Sequence, residues 1–230
     1  MSASPVSSFS DPAAVARYAE GPVRLVPGFR DLQRMAALLL AERCGGDARI
    51  LVLGAGGGLE LKAFAEWHPG LRFVGVDPSA EMLALAARML GPLAERVDLH
   101  QGLIDTAPHR PFDGATCLLT LHFVPESERL ATLAGLRRRL KPGAPLVVAH
   151  HSFPQAEGDK AAWLAHYAAF AAASGVPAAQ ARSAADAIAA RLPVLSPQRD
   201  AALLREAGFH GVDLFYAGFT FRGWVACNPQ

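Results

Sequence analysis

Residues 50–64 read ILVLGAGGGLELKAF, a β-like apolar run that passes through a glycine-rich turn into a helical pattern. A buried strand that turns abruptly into a helix favours glycine, because a side chain would obstruct both the turn and the approach of a ligand to its backbone. The helix start then offers free N–H groups to a polar or anionic ligand. This segment predicts a strand, a ligand-binding turn at Gly54, Ala55 and Gly56, and a helix.

A second β-like run, RFVGVD at residues 72–77, ends in Asp77. A carboxylate at the end of this strand can accept hydrogen bonds from both hydroxyls of a ribose. The dinucleotide fingerprint G-x-G-x-x-G would require glycine where Leu59 stands. A nicotinamide-dependent oxidoreductase, which would bind a dinucleotide at this turn, is therefore the less favoured interpretation.

Strand and helix patterns alternate along the next hundred residues. Further β-like runs cover residues 97–101, 113–123 and 146–150, with helical patterns at 80–90 and 126–140. This alternation predicts an α/β fold with a doubly wound, mostly parallel sheet and helices on both faces. Two last β runs, at residues 212–216 and 219–226, are so closely joined that they predict an antiparallel hairpin.

We expect a single domain over residues 1–230. Its expected parts are a mobile tail at 1–12, an N-terminal helical cap at 13–44, a cofactor-binding core at 49–152, a helical insertion at 153–195, and a closing helix with a β-hairpin at 196–230. The insertion is rich in alanine, and its Trp163, Tyr167 and Phe170 share one helix face. A core-facing stripe is the favoured interpretation of these aromatic residues, and a lid that covers a ligand is the alternative.

Composition narrows the function classes. The chain has 22 Lys+Arg against 21 Asp+Glu and is 51% hydrophobic, which argues against a disordered chain and against a protein held to nucleic acid by phosphate contacts. Neither a secretory signal nor a membrane-spanning run is expected, so a cytoplasmic protein is predicted. The three cysteines are scattered, which predicts neither a disulfide framework nor a metal site.

The chain resembles the class I S-adenosylmethionine-dependent methyltransferases over roughly residues 20–227. The resemblance is carried by Val52–Gly58, by Asp77 with Pro78 and Ser79, by the segments 112–123 and 140–144, and by the closing hairpin that follows Ala207-Gly208-Phe209. It implies a seven-stranded Rossmann-like sheet with an antiparallel last strand. It also implies S-adenosylmethionine as the cofactor.

The same resemblance assigns roles to individual residues. It implies that Gly54, Ala55 and Gly56 contact the methionine part of the cofactor and that Asp77 binds the ribose hydroxyls. The adenine is expected beside Pro78, Met82, Leu103 and Ile104, and the sulfonium beside Leu118. Methyl transfer depends mainly on alignment, and it needs a general base only when the acceptor carries a proton that must leave. His122 after the fourth strand is a catalytic candidate, as are His150 and His151 at the end of the fifth, with His122 and His151 preferred. Hydrogen-bonded histidines at the pocket rim are the favoured interpretation of all three.

Within the superfamily, the nearest resemblance is to the carboxy-S-adenosylmethionine synthase group, through residues 26–29, residues 120–123 and the insertion. That group holds the extra carboxylate with an arginine of the insertion, and a rough alignment places Ala185 there, with Arg182 one turn away. The expected function is methyl transfer to a small molecule, with a homodimer as a further hypothesis and no nucleic-acid or membrane partner. A carboxy-S-adenosylmethionine synthase-like enzyme and a non-catalytic S-adenosylmethionine-binding protein remain alternatives.

Overall fold

The computed structural model describes residues 20–230 and forms one seven-stranded sheet. The strands are β1 (Arg49–Leu53), β2 (Arg72–Asp77), β3 (Val97–Gln101), β4 (Gly114–Leu118), β5 (Pro145–His151), β6 (His210–Gly218) and β7 (Phe221–Cys227). Their order across the sheet is β3-β2-β1-β4-β5-β7-β6. The first five strands are parallel, and β7 is antiparallel to both β5 and β6. The predicted fold class and closing hairpin are confirmed.

Helices connect the strands and cover the two faces of the sheet. They are α1 (Gly21–Leu25), α2 (Phe29–Ala41), α3 (Leu59–Trp67), α4 (Ala80–Leu90), α5 (Glu126–Arg137), α6 (Glu157–Ala173), α7 (Ala178–Arg191) and α8 (Pro197–Glu206). The expected tail at residues 1–12 and the first part of the expected cap lie outside the described residues. No helix within residues 20–230 is both long and apolar enough to cross a bilayer.

The sheet has an apolar core on each face. One core packs α2, α3, α4 and the helices of the insertion against the sheet, and it contains Leu32, Phe64 and Val52. The other packs α5 and α8, with Leu136 and Leu203, against the opposite face. Because both faces are covered, β4 and β5 are buried along their whole length, as parallel strands between two helical layers usually are.

The chain reverses its direction across the sheet between β1 and β4. It proceeds from β1 to β2 and β3 on one side and then returns to place β4 and β5 on the other. In open α/β sheets, the crevice at such a switch point is the usual ligand site, outside the carboxyl ends of the strands. The glycine-rich turn after β1 and the loop after β4 both lie at this point.

The insertion consists of two helices, α6 and α7, and its aromatic face lies against the closing hairpin. Tyr167 is buried, with its ring 6.4 Å from that of Phe221, and the ring of Phe170 lies 6.0 Å from that of Phe219 in the β6–β7 turn. The Arg222 guanidinium of β7 lies 5.1 Å from the centre of the Trp163 ring. Tyr167 therefore faces the core, as the favoured interpretation predicts, whereas Trp163 and Phe170 are only partly buried and pack against the hairpin.

Candidate functional site

The turn after β1 depends on glycine for its backbone and for its packing. Gly54, Gly56 and Gly58 have φ angles of 79°, 49° and 82°, in the left-handed region that favours glycine. A Cβ on Gly54 would overlap the side chain of Thr120, and one on Gly58 would lie 2.9 Å from the Ala86 Cα of α4. The turn is therefore narrow because neighbouring elements pack directly on it.

Asp77 joins this turn to the start of α4. Its Oδ2 accepts a hydrogen bond from the Gly56 N–H at 2.9 Å, and its Oδ1 accepts one from the Ser79 N–H at 3.0 Å. Burial raises the pKa of Asp77, and the two backbone donors oppose that rise. Each carboxylate oxygen has a further lone pair for another donor, so the group fits a ribose diol.

The predicted adenine-side residues lie beyond Asp77, and the structure divides them into two kinds. Pro78 and Leu103 are exposed after β2 and β3, with Leu103 57% exposed. Met82 and Ile104 are buried, and Ile104 packs against Gly135 of α5. Pro78 and Leu103 are thus available at the carboxyl edge of the sheet, whereas Met82 and Ile104 support that edge from within.

Glu60 is a buried polar residue at the site that sequence reasoning missed. It lies in the first turn of α3, is 7% exposed, and accepts a hydrogen bond from the Thr116 hydroxyl of β4. Burial raises the pKa of its carboxyl to about 8. Helical spacing was the available signal, because Glu60 lies one turn before the buried Phe64 and shares its face.

The chain bends sharply after β4. Leu119 has a φ of 55°, and its N–H donates to the Ala149 carbonyl of β5 at 2.5 Å. This bend places Thr120 against Gly54, while Leu118, the predicted sulfonium-side residue, is buried at the end of the strand. Left-handed non-glycine residues cluster at functional sites, and this one lies at the switch point.

His122 and His151 lie together past the ends of β4 and β5. The His151 backbone N–H donates to His122 Nδ1 at 3.3 Å, and the two rings are 4.9 Å apart. His151 Nδ1 is 3.0 Å from the Thr220 hydroxyl, and its ring stacks on Phe221 at 4.0 Å. The sequence thus identified two histidines that the fold brings into one cluster.

Both imidazoles are neutral at physiological pH. Burial lowers the pKa of His151 to about 3 and lowers that of His122 well below its ordinary value. Since His122 Nδ1 accepts a hydrogen bond, the proton of the neutral ring resides on Nε2. His122 is consequently a hydrogen-bond donor at Nε2, and neither ring is a strong base.

His150 faces the opposite side of the sheet from His151, as expected for neighbours on a strand. Its Nε2 lies 3.2 Å from Asp200 Oδ1, and Arg129 Nη1 lies 2.9 Å from the same oxygen. Although burial raises the pKa of Asp200, His150 and Arg129 outweigh burial and hold it below its usual range. His150 therefore belongs to a buried polar cluster with Arg129 of α5 and Asp200 of α8, and not to the His122–His151 cluster on the other face of the sheet.

Two grooves of the described chain lie outside this region. One of about 450 Å³ runs between α6 and α7, and the exposed Arg182 lines it. Another of about 360 Å³ lies beside α8, Leu214 and Trp224. Ala185, the aligned position of the expected arginine, is buried at 7% exposure, so no cationic side chain arises there.

Comparison with known proteins connects this geometry to a chemistry. A family profile described as a methyltransferase domain matches residues 50–143. The carboxy-S-adenosyl-L-methionine synthase of Chromohalobacter salexigens is 30% identical, in an alignment covering 96% of this chain and 84% of that protein. The trans-aconitate 2-methyltransferase of Streptomyces avermitilis is 35% identical, over 50% of this chain and 41% of that protein.

A solved structure has a similar fold. The O-methyltransferase family protein from Burkholderia thailandensis superposes with a TM-score of 0.70 at 16% identity, covering 96% of this chain and 62% of that one. At this identity, the likeness concerns the fold alone.

Proposed function

Because the chain belongs to the class I S-adenosylmethionine-dependent methyltransferase superfamily, we propose that it transfers a methyl group from S-adenosylmethionine to a small-molecule acceptor at the carboxyl ends of β4 and β5. The observation that carries this site assignment is the Asp77 carboxylate. It is bonded at once to the glycine-rich turn and to the start of α4, with lone pairs left for a diol.

The cofactor contacts proposed here follow the carboxyl edge of the sheet. The backbone of Gly54, Ala55 and Gly56 would hold the methionine part, and Asp77 the ribose hydroxyls. Pro78 and Leu103 would flank the adenine, with Met82 and Ile104 packed behind them. Leu118 ends β4 on the side of the sulfonium.

When bound, S-adenosylmethionine supplies a methyl carbon that bonds to a lone pair of the acceptor as its bond to sulfur breaks, leaving a neutral thioether. The protein's part is to hold the acceptor in line and to exclude water. We assign this positioning to the loop after β4 and to the His122–His151 pair. The two neutral imidazole rings can orient a polar acceptor group by hydrogen bonding. An acceptor that keeps its proton until after transfer would need no stronger base.

A carboxy-S-adenosylmethionine synthase-like activity is the second candidate, favoured by the 30% identity to such an enzyme along most of both chains. Ala185 argues against it, because the aligned arginine is absent and Arg182 lies in the outer groove. Mass spectrometry of the ligand that copurifies distinguishes the two. A mass with an added carboxyl group would favour the synthase, and unmodified S-adenosylmethionine would favour the methyltransferase.

The near-zero net charge supports a small-molecule acceptor over a nucleic acid.

We further propose that the protein is cytoplasmic and forms a homodimer. Light scattering after size-exclusion chromatography tests the dimer, since a single monomer mass at micromolar concentration would exclude a stable one.

Replacing Asp77 tests the cofactor site. We expect Asp77→Ala to bind S-adenosylmethionine about 10- to 100-fold more weakly, because hydrogen bonds to a charged group contribute roughly 1.5–3 kcal/mol. Titration calorimetry measures the affinity. Asp98→Ala is the matched control, because Asp98 is exposed on β3 and pairs with Arg110 instead. Equal affinities for the Asp77 variant and the unmodified protein would refute the assignment.

A further inference from the structure

Glu60 is a buried carboxyl group with no countercharge. Its hydrogen-bond partner is the neutral Thr116 hydroxyl, and the ion pairs formed within residues 20–230 do not include it. By contrast, the buried Asp200 is paired with Arg129 and His150. Burying an ionised carboxylate without a partner is costly, so an uncompensated acid stays protonated until a cation arrives.

The position of Glu60 places it beside the proposed cofactor turn. It is the second residue of α3, which begins directly after Gly58. Its partner Thr116 pairs in register with Val52 of β1 and lies two residues before Leu118. The carboxyl therefore lies between α3 and β4, two residues inside the sheet from the glycine-rich turn and from Leu118, beneath the switch point.

The neighbouring elements supply no positive charge to Glu60. On β4 the adjacent titratable group is Cys117, whose pKa burial raises, so that its thiol stays neutral. Asp77 of β2 is an acid already bonded to Gly56 and Ser79. The charged residues of α2 and α4, the two α-helices packed against α3, are exposed, namely Arg30, Asp31 and Arg34 of α2 and Glu81 and Arg88 of α4. Arg96, in the short 3₁₀ helix at residues 91–96, donates to the Ala65 carbonyl at the opposite end of α3 from Glu60.

We infer that Glu60 is a charge-selective residue of the cofactor site: it is a neutral acid in the ligand-free protein and releases its proton to solvent when the cationic end of S-adenosylmethionine binds. The inference rests on the proposed function. The resulting carboxylate favours S-adenosylmethionine over S-adenosylhomocysteine, because the product has lost the charge on sulfur. A buried carboxylate and a cation interact far more strongly than the same pair in water.

This assignment gives Glu60 a role in turnover as well as in binding. Once the methyl group has left, the sulfur is neutral, and the buried carboxylate has lost part of its countercharge. Glu60 then takes a proton from solvent, and the product is held less tightly than the cofactor was. Affinity for S-adenosylmethionine should accordingly rise with pH up to the pKa of about 8.

Titration calorimetry at about pH 6.5, in two buffers with different ionisation enthalpies, counts the protons released on binding. At this pH an α-amino group, with a pKa of about 7.7–8.0, keeps its proton, so the ligand itself adds little. We expect the unmodified protein to release close to one proton per S-adenosylmethionine and Glu60→Gln to release none. The preference for S-adenosylmethionine over S-adenosylhomocysteine should fall about tenfold in Glu60→Gln.

Two outcomes separate the inference from the proposed function. If the unmodified protein and Glu60→Gln release the same number of protons and show the same ligand preference, the role of Glu60 is refuted while cofactor binding stands. If the unmodified protein binds neither ligand, the proposed function itself fails.

A second variant serves if Glu60→Gln does not fold, as judged by circular dichroism. Thr116→Val removes the hydrogen bond that lowers the pKa of Glu60 and leaves the carboxyl in place. The midpoint of the pH dependence of S-adenosylmethionine affinity should then move to higher pH. An unchanged midpoint would refute the inference.

Discussion

Thr120 fills the space that a side chain on Gly54 would need. The sequence indicated that Gly54 is glycine because a ligand approaches the turn, and the structure adds that a side chain from the loop after β4 already packs there. The two residues are far apart in sequence, so only the pairing of β1 with β4 and the left-handed Leu119 bring them together. Gly54 therefore couples the glycine-rich turn to the loop after β4.

Gly54→Ala should destabilise the protein through two separate effects. A left-handed backbone costs a non-glycine residue about 1–2 kcal/mol, and the overlap with Thr120 should add about 1–3 kcal/mol. Gly143→Ala is the matched control, because Gly143 has a φ of 76° and nothing within 4 Å of the added methyl group. Denaturant unfolding measures both, and equal losses in the two variants would show that the overlap with Thr120 costs nothing.

At the scale of elements, α5 and α8 are joined by one buried and one exposed ionic contact. Arg129 of α5 pairs with Asp200 of α8 at 2.9 Å, and it donates to the Val124 carbonyl before α5 and to the Pro193 carbonyl before α8. Arg199 of α8 pairs with Glu126 of α5 at the same distance, but with 39% of its side chain exposed. The effect of burial on the contribution of an ion pair to stability can therefore be compared between the same two helices.

Arg129→Ala should cost about 3–5 kcal/mol of unfolding free energy, because it leaves Asp200 buried without its guanidinium partner. Arg199→Ala should cost much less, because an exposed ion pair gains little over its hydrated, separated charges. Chemical denaturation followed by circular dichroism measures both variants. A loss below about 1 kcal/mol for Arg129→Ala would mean that water or His150 compensates for the missing guanidinium.

Local patterns predicted most elements well. Residues 80–90 and 97–101 became a helix and a strand with the expected bounds, because capping residues and short apolar runs act within one element. The alanine-rich insertion gave no signal for its division into α6 and α7 beyond Gly175 and Pro177. The roles of Glu60 and Arg129 were missed because their partners, Thr116 and Asp200, come from distant elements. Contacts of that kind leave no pattern in the local sequence.

At the scale of the whole molecule, two kinds of buried group oppose each other as pH changes. His151 has a pKa of about 3 in the folded chain and an ordinary value of 6.5, so the unfolded chain binds the extra proton and stability rises with pH over that interval. Glu60 has a pKa of about 8 against an ordinary 4.5, so the folded chain keeps the extra proton and stability falls with rising pH over that interval.

The ligand-free protein should therefore be most stable near about pH 6.5 and lose stability towards pH 8. Glu60→Gln should remove the loss on the alkaline side. It should also steepen the rise in stability between pH 4.5 and pH 6.5, where Glu60 opposes His122 and His151 in the unmodified protein. Melting temperatures measured from pH 4 to pH 9 without ligand check this. An alkaline decline of the same size in both proteins would assign it to another group.

The place of β7 in the sheet has a consequence for protein synthesis. β7 pairs with β5 on one side and β6 on the other, yet the ribosome makes it after every other strand of the sheet. Until residues 221–227 emerge, the nascent chain carries β5 as an open edge whose apolar residues can pair with another chain. A premature stop codon in the β6–β7 turn would leave the glycine-rich turn and Asp77 intact and still yield an aggregation-prone product.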